Sequence, residues 1–568
     1  MRWDHLDIRI NHLRIRKLFS KWLTDKVDYR SKIDHGTLFA SGFEFLFDNQ
    51  VLDKENRAFV KTFRMLHAKL YSTVKNVAGL RSIEINFPIA LKTRLSAISF
   101  GGIETRLKGC FEKAFPQYQN RLPERTVISR QQVLDSDKDT LTVYAKFKTV
   151  NVKYPKLLLR AIISVVNQWD ADNLSKYTLP VQSCLDALPS DTSSCYPVFA
   201  KKNSEEAISQ LYDDLNTVEK IAKSQGIFEF FVRNPCVIFH RFSNSLKESF
   251  GRRNLETKIR QIFGYPFLVL VIETMIFSNL VDCIVAKTTY MISGYRRTDI
   301  AHRVKRVRAN ASATDRSVFC LDISGMDKNL ASFWIIAFFT SMFNLISPQG
   351  RIREYFFAIM SYQIFTPILS LSFGVIFTDG GNVSGSKLTS ILNSFVVSSA
   401  LVYCYLVYYG RLPTTDELSG YGDDWVVVID AELSQKFINS LAELGLAVSA
   451  TKSSVCDPDL DNIKLLGFYW DLEHSPTNTL DWVIAKTVYP ERYVDEKGIG
   501  RVFLRLASVI FQIKDGPMLF NNVVRQDPQM LEMSYDSTVK IEFLDKRKRT
   551  HLGSVPLGLL RERGWTCY

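Results

Sequence analysis

Tyr421-Gly-Asp-Asp-Trp-Val-Val-Val-Ile429 is the stretch that decides how this chain folds. Gly and Asp favour turns, and Trp425 to Ile429 is a β-branched run suited to a buried strand. A tight turn between an uncharged approach and such a strand thrusts two carboxylates, Asp423 and Asp424, out of a buried hairpin. Adjacent anions repel unless a cation compensates them. A Gly-Asp-Asp triplet arises by chance in about one chain in ten of this length, so its setting counts for more than the triplet. After the strand, Asp430 reads as an N-cap. Phe437, Leu441 and Leu444 then share one helical face, and Gly445 reads as its stop.

Upstream, Ser317-Val-Phe-Cys-Leu-Asp-Ile323 reads as a second strand, and Leu330 to Phe343 as an apolar helix. Asp322 ends that strand, and Asp327 follows five residues on, past a Gly-containing turn. If the strand pairs beside the hairpin, Asp322 and Asp423 converge. Two hard carboxylates on neighbouring strands suit Mg²⁺ held together with substrate phosphates. Strand, helix, strand-turn-strand, helix describes a small α+β layer with its carboxylates at one edge.

Between these elements lies Ser384-Gly-Ser-Lys-Leu-Thr-Ser-Ile-Leu-Asn393. Gly380, Gly381 and Gly385 allow close backbone approach. Thr389 and Asn393 are spaced i, i+4 and share one face of the ensuing helix, where hydroxyl and amide groups can read a sugar hydroxyl. Taken alone, the segment also reads as a polar cap on an apolar helix.

Asp-x4-Asp, Ser-Gly-x3-Thr-x3-Asn and Gly-Asp-Asp, in that order, resemble motifs A, B and C of the viral RNA-dependent RNA polymerases, and of the partitivirus and picobirnavirus enzymes of double-stranded RNA viruses in particular. The resemblance implies an α+β right-hand fold of fingers, palm and thumb with a small antiparallel palm sheet. It implies an N-terminal extension over 1–80, fingers over 81–315 and 346–413, palm over 316–345 and 414–490, and thumb and tail over 491–568. Asp322 and Asp423 would bind two Mg²⁺ ions, with Asp424 assisting and Mn²⁺ as a substitute. Asp327 and Asn393 would sense the ribose 2′-hydroxyl, aided by Ser384, Gly385 and Thr389.

Thr257-Lys-Ile-Arg-Gln-Ile-Phe-Gly-Tyr-Pro266 resembles the basic fingers motif of the same enzymes. Lys258 and Arg260 alternate on a predicted strand and point to one face, suited to a triphosphate; a basic edge strand is the plainer reading. Lys452 matches the motif D lysine that acts as general acid toward pyrophosphate, or is a surface lysine. Leu465-Leu-Gly-Phe-Tyr469 resembles motif E. Departures from the pattern are Met326 in place of an aromatic residue, Trp425 in place of a small polar one, and Asn393 where many partitivirus enzymes carry Asp. The implied partners are template and product RNA, NTPs and a viral capsid protein, with primer-independent initiation inside a virion in host cytoplasm.

The bulk properties agree with a polyanion partner. The 568 residues carry a formal charge of +13 and a pI near 9.1. Nine cysteines without a C-x-x-C pair, and eight histidines without ligand spacing, argue against a disulfide scaffold or zinc ribbon and fit a reducing compartment. The N-terminus shows no apolar signal segment. Two uncharged stretches, 355–378 and 391–410, reach the roughly 20 residues that span a bilayer. Their polar residues favour buried core, so no stable membrane insertion is expected. The basic stretch Arg296 to Arg308 suits a template or NTP path. Lys546-Arg-Lys-Arg549 suits RNA or is a solvated face.

Two rival readings remain open. Tyr421-Gly-Asp-Asp424 also satisfies the Tyr-x-Asp-Asp of reverse transcriptases, although those place a bulky side chain where Asp327 stands. A non-enzymatic basic RNA-binding structural protein would explain the charge but not the ordered motifs.

Overall fold

The computed structural model describes residue 46 and residues 52–74 and 104–556, apart from 125–127, 147, 170–177, 191, 250–251, 288–289, 293–296, 371–372, 490–498, 536–537 and 544–550. The Lys546–Arg549 run, Arg296 and Cys567 lie outside the described residues, as does most of the expected 1–80 extension. Within that extension, helix Arg57–Val74 is built into the main core. Phe59, Phe63, Leu66 and Leu70 recur along one face and are buried, and Phe63 meets Phe333 at 5.9 Å.

The elements that position the site follow in chain order. A long antiparallel hairpin joins β1 (Cys236–Ser249) to β2 (Arg252–Gly264), and α1 (Phe267–Lys287) and α2 (Arg297–Ala313) come next. Then come β3 (Ser317–Asp322), α3 (Ser332–Ile346), α4 (Gly350–Ile364), β4 (Pro367–Ser370), β5 (Gly374–Phe377) and α5 (Thr389–Tyr409). The last group is β6 (Leu418–Tyr421), β7 (Asp424–Ile429), α6 (Ser434–Glu443), β8 (Ser454–Cys456), β9 (Ile463–Leu465) and β10 (Phe468–Trp470).

Two four-stranded sheets result. One has the order β2-β1-β4-β5, with β4 parallel to β1. The other, β6-β7-β3-β8, is antiparallel throughout. Between their ends the inner strands of the second sheet, Val318–Leu321 and Trp425–Ile429, are apolar at every position because both faces are covered. Phe319, Leu321, Trp425, Val427 and Ile429 enter the main core with α3 and α5. Val318, Cys320, Val426 and Val428 face α2 and the β9–β10 hairpin.

α2 carries the described part of the basic stretch. Ile300, Val304, Val307 and Ala311 pack on the sheet face opposite α5. Arg308 is buried and donates to the carbonyls of Asp461 (3.0 Å), Trp470 (3.1 Å), Asp471 (3.3 Å) and Pro458. Its fork ties the loops around Asp461 and Trp470 together.

Both uncharged stretches are buried. Residues 355–378 do not form one helix: α4 ends and the β4–β5 hairpin follows. α5 carries most of the second. The described helices long and apolar enough to cross a membrane are Phe267–Val285 and Thr389–Tyr409, of which 72% and 89% are covered by the protein itself.

Two helix boundaries differ from the reading. Met326–Asn329 forms a separate helical turn, so the apolar helix starts at Ser332. Asp430 precedes a 3₁₀ turn, Ala431–Leu433, and its side chain makes no cap bond. Gly445 does end α6, at φ +83°. A smaller core joins helix Thr105–Ala114 to the C-terminal helices through Leu107, Phe111, Val483, Leu506 and Ile510. The eight described cysteines are free.

The base of the β6–β7 hairpin is held by charge. Glu417, 1% exposed, accepts from both Nη atoms of Arg411 (2.7 and 2.6 Å), from Arg316 (2.7 Å) and from the Thr414 backbone N–H (2.8 Å). Burial alone raises such a carboxyl. The two guanidiniums and the amide outweigh it and hold Glu417 at about 2. Removing one partner of a buried pair costs about 3 kcal/mol, so Glu417→Gln should lower stability by that order in denaturant unfolding at pH 7. The folded pKa is depressed, so this contribution is present above about 4.5 and lost as pH falls toward 2. The gap between wild type and variant should close over that window.

Candidate active site

The acidic edge is built by strand register. β3 and β7 pair so that Asp322 lies directly opposite Asp424, and the Ile323 N–H donates to the Asp423 carbonyl at 3.1 Å. Asp423 stands in the turn beside Gly422, whose φ is +64°. The turn is fastened twice. The Gly422 N–H donates to Ser394 Oγ of α5 at 2.8 Å, and the Trp425 indole N–H donates to the Gly422 carbonyl at 2.9 Å. The indole lies on Gly420, where an added Cβ would sit 2.4 Å from the ring. A tryptophan after Gly-Asp-Asp is thus accommodated by a glycine three residues before the first aspartate.

Close packing of these carboxylates is electrostatically costly. Asp424 is pushed up to about 7, first by burial and then by the charges of Asp423 and Asp322. Asp423 is also raised, by burial and then by Asp322. One cation already answers this charge: Lys452 Nζ donates to Oδ1 and Oδ2 of Asp322 at 2.8 and 2.9 Å. Its loop is locked to β3 by the Ser449 N–H on the Asp322 carbonyl (2.9 Å) and by the Asp322 N–H on Ser453 Oγ (3.1 Å).

Among the described residues, no group of three or more His, Cys, Asp or Glu side chains could hold a metal ion by itself. The chemistry still fits one. Asp322, Asp423 and Asp424 present hard oxygens at one edge, an ammonium already bridges Asp322, and Mg²⁺ commonly takes one or two carboxylates plus substrate phosphates.

A second group lies beside the first. Asn393 Nδ2 donates to Asp327 Oδ1 at 2.8 Å. Asn382 fixes the amide by donating to Asn393 Oδ1 (2.8 Å) and to the Thr389 carbonyl (2.9 Å), while its own N–H holds the Asp327 carbonyl at 2.6 Å. Burial is the main cause that raises Asp327 to about 6. The Asn393 bond opposes it and the Asp423 charge adds to it.

The expected companions divide. Thr389 Oγ1 shares its one proton between the carbonyls of Val383 (3.2 Å) and Ser386 (3.1 Å), which fixes the shape of the loop. Ser384 Oγ accepts the Phe263 N–H at 3.2 Å. Gly385 has φ +106°, and a Cβ there would lie 2.6 Å from the Phe263 carbonyl. These two residues clip the loop to the end of β2.

β2 brings Lys258 and Arg260 to the same region. Burial lowers Lys258, and the positive charges of Lys452, Arg260 and Lys328 lower it further. Arg260 is also felt at Asp423. As an edge strand, β2 satisfies the plainer reading too. Leu465 to Tyr469 forms the β9–β10 turn.

Sequence reasoning missed Lys328, Asn382, Ser394 and Glu273. Glu273 had a signal, a lone charge in the apolar run Phe267 to Phe277. The others look like ordinary loop or helix polar residues.

The sequence profile described as viral RNA-dependent RNA polymerase matches residues 111–482. The fold is similar to the crystal structure of the RNA-dependent RNA polymerase of a human picobirnavirus, with a TM-score of 0.56 at 13% identity, over 82% of this chain and 84% of that one. It is also similar to an insertion-loop deletion mutant of that polymerase, with a TM-score of 0.55 at 13% identity, over 83% and 86%. No curated protein sequence matches. At this identity the likeness establishes the α+β right-hand polymerase fold.

Lys452 competes for the oxygens that a divalent cation would use. Lys452→Leu should therefore tighten Mn²⁺ binding, followed by the loss of the free-ion resonance, by about two- to fivefold, the worth of a half-exposed ion pair. Unchanged affinity would show that Lys452 does not neutralise this edge.

Proposed function

Because the chain belongs to the viral RNA-dependent RNA polymerase family and is an RNA-directed RNA polymerase, we propose that it joins NTPs to an RNA 3′-hydroxyl at the Asp322–Asp423 edge, copying a viral RNA genome for transcription and replication. The observation that carries the reading is the β3–β7 register. It sets Asp322 opposite Asp424, with Asp423 beside them and the Asp327–Asn393 pair close by.

Asp322 and Asp423 would hold two Mg²⁺ ions, with Asp424 assisting; Mn²⁺ can substitute. When bound, they supply Lewis-acid activation of the 3′-hydroxyl and charge stabilisation for the departing pyrophosphate. Lys258 and Arg260 receive the triphosphate, Arg260 by a two-pronged contact. Asp327 keeps one oxygen on Asn393 and offers the other to the ribose 2′-hydroxyl. Lys452, once off Asp322, is placed to give a proton to the leaving pyrophosphate. The acidic Asp327 at the sugar favours ribonucleotides over the deoxynucleotides of a reverse transcriptase.

Asp423→Asn should reduce labelled-NTP incorporation to background. The thermal midpoint should hold or rise, because the change relieves repulsion among buried carboxylates; normal synthesis by this variant sinks the assignment. Asn393→Ala should lower the preference for rNTP over dNTP by roughly tenfold, the loss of about one net hydrogen bond. Paired single-nucleotide incorporation assays measure this, and an unaltered ratio removes Asn393 from sugar selection.

A further inference from the structure

Beneath the Ser384–Lys387 turn lies a fully buried carboxylate that the scheme above does not use. Glu273 of α1 is 0% exposed. It accepts from the Tyr265 hydroxyl (2.6 Å), Gln363 Nε2 (2.7 Å), the Ser386 hydroxyl (3.0 Å) and the Lys387 backbone N–H (3.1 Å). These donors come from three places: the step after β2, helix α4, and the loop that starts α5.

The hydrogen-bond directions leave little freedom. Ser386 Oγ already accepts from Gln363 Nε2 (2.7 Å) and from the Leu388 N–H (3.1 Å), so its one proton goes to Glu273. The Tyr265 hydroxyl donates directly to the other Glu273 oxygen at 2.6 Å. Gln363 has two N–H protons to share among Glu273, Ser386 and Tyr265, so the fixed donors to Glu273 are the Tyr265 and Ser386 hydroxyls and the Lys387 N–H, which fill both of its oxygens.

This arrangement makes stability depend on pH. Burial raises Glu273 to about 7, and its four hydrogen bonds only partly offset that. With the folded pKa above the usual 4.5, stability falls as pH rises from 4.5 through 7, because folding then opposes ionisation. The titratable groups around it are Tyr265, Tyr362 and Cys236, all pushed up by burial and neutral at that pH. Ionising Glu273 thus costs the fold free energy, while its hydrogen bonds hold one loop in one shape.

We propose that Glu273 is a positioning residue for nucleotide selection: its carboxylate clamps Ser386 and Lys387, and so seats the start of α5 that presents Asn393 to Asp327. The same clamp reaches Tyr265, next to the residues on which Gly385 and Ser384 rest. It therefore links the strand of Lys258 and Arg260 to the sugar-reading loop. The proposal rests on Asp327 and Asn393 reading the ribose.

Glu273→Gln presents an amide N–H where a donor already points. Steady-state single-nucleotide incorporation should show the NTP KM rising about tenfold, more than kcat falls, and the rNTP over dNTP preference dropping by a similar factor. Glu273→Asp keeps an acceptor-only group and should recover much of both. Ser386→Ala, which removes one strut, should move both in the same direction if Glu273→Gln fails to fold. A lower thermal midpoint with unchanged KM and preference overturns the proposal and leaves Glu273 a structural residue. Preference lost in Asn393→Ala but intact in the Glu273 and Ser386 variants also overturns it, alone. Preference unmoved in all of them overturns the ribose reading and this proposal together.

Discussion

The structure turns on one electrostatic constraint, three carboxylates held at a single edge by the pairing of β3 with β7. Asp322 and Asp424 face each other across the ladder, and Asp423 is carried by the turn between β6 and β7. A register slip of one residue would move every side chain of β3 to the opposite face. It would also exchange the sets that enter the two cores, Phe319 and Leu321 on one side and Val318 and Cys320 on the other. The apolar packing that stabilises the sheet therefore also enforces the repulsion at its end. The Glu417 ion-pair cluster at the base of the hairpin and the Ser394 bond at its turn hold the strands against it.

Much of this arrangement was legible because it is local. The β-branched run after Asp424, the strand ending at Asp322 and the i, i+4 face of Asn393 each depend on a few neighbouring residues, and each formed where the periodicity put it. The differences have local physical causes as well. Thr389 sits on the expected face, and as a first-turn hydroxyl it also bonds its own loop carbonyls. Asp430 lies one short turn too early to cap α6. Arg308 belongs to a charged stretch whose helix alternates charge with Val304, Val307 and Ala311, and those apolar residues decided where the helix packs.

What was illegible is non-local. Nothing in Cys236-Val237 announces a parallel partner at Ile368-Leu369, and nothing in Ser454 to Cys456 places it at the edge of β3. Glu273 was visible as a lone charge among apolar residues, but its meaning lies in Gln363 and Ser386, 90 and 113 residues further on. A sequence shows that such a charge must be satisfied if it is buried. It does not show by what.

The two buried glutamates make a contrast that separates stability from function. Glu417 is met by two guanidiniums, its carboxyl is driven down, and it strengthens the fold at neutral pH. Glu273 is met by uncharged donors, its carboxyl is driven up, and its ionisation is opposed by the fold at the same pH. A chain selected for stability alone would replace the second with an apolar residue of similar volume, a change that is often neutral or favourable at buried charges. Keeping it makes sense where a loop must hold one conformation while a substrate is compared with a near-identical competitor. The Ser384–Asn393 segment, which spans from the end of β2 to Asp327, is such a loop.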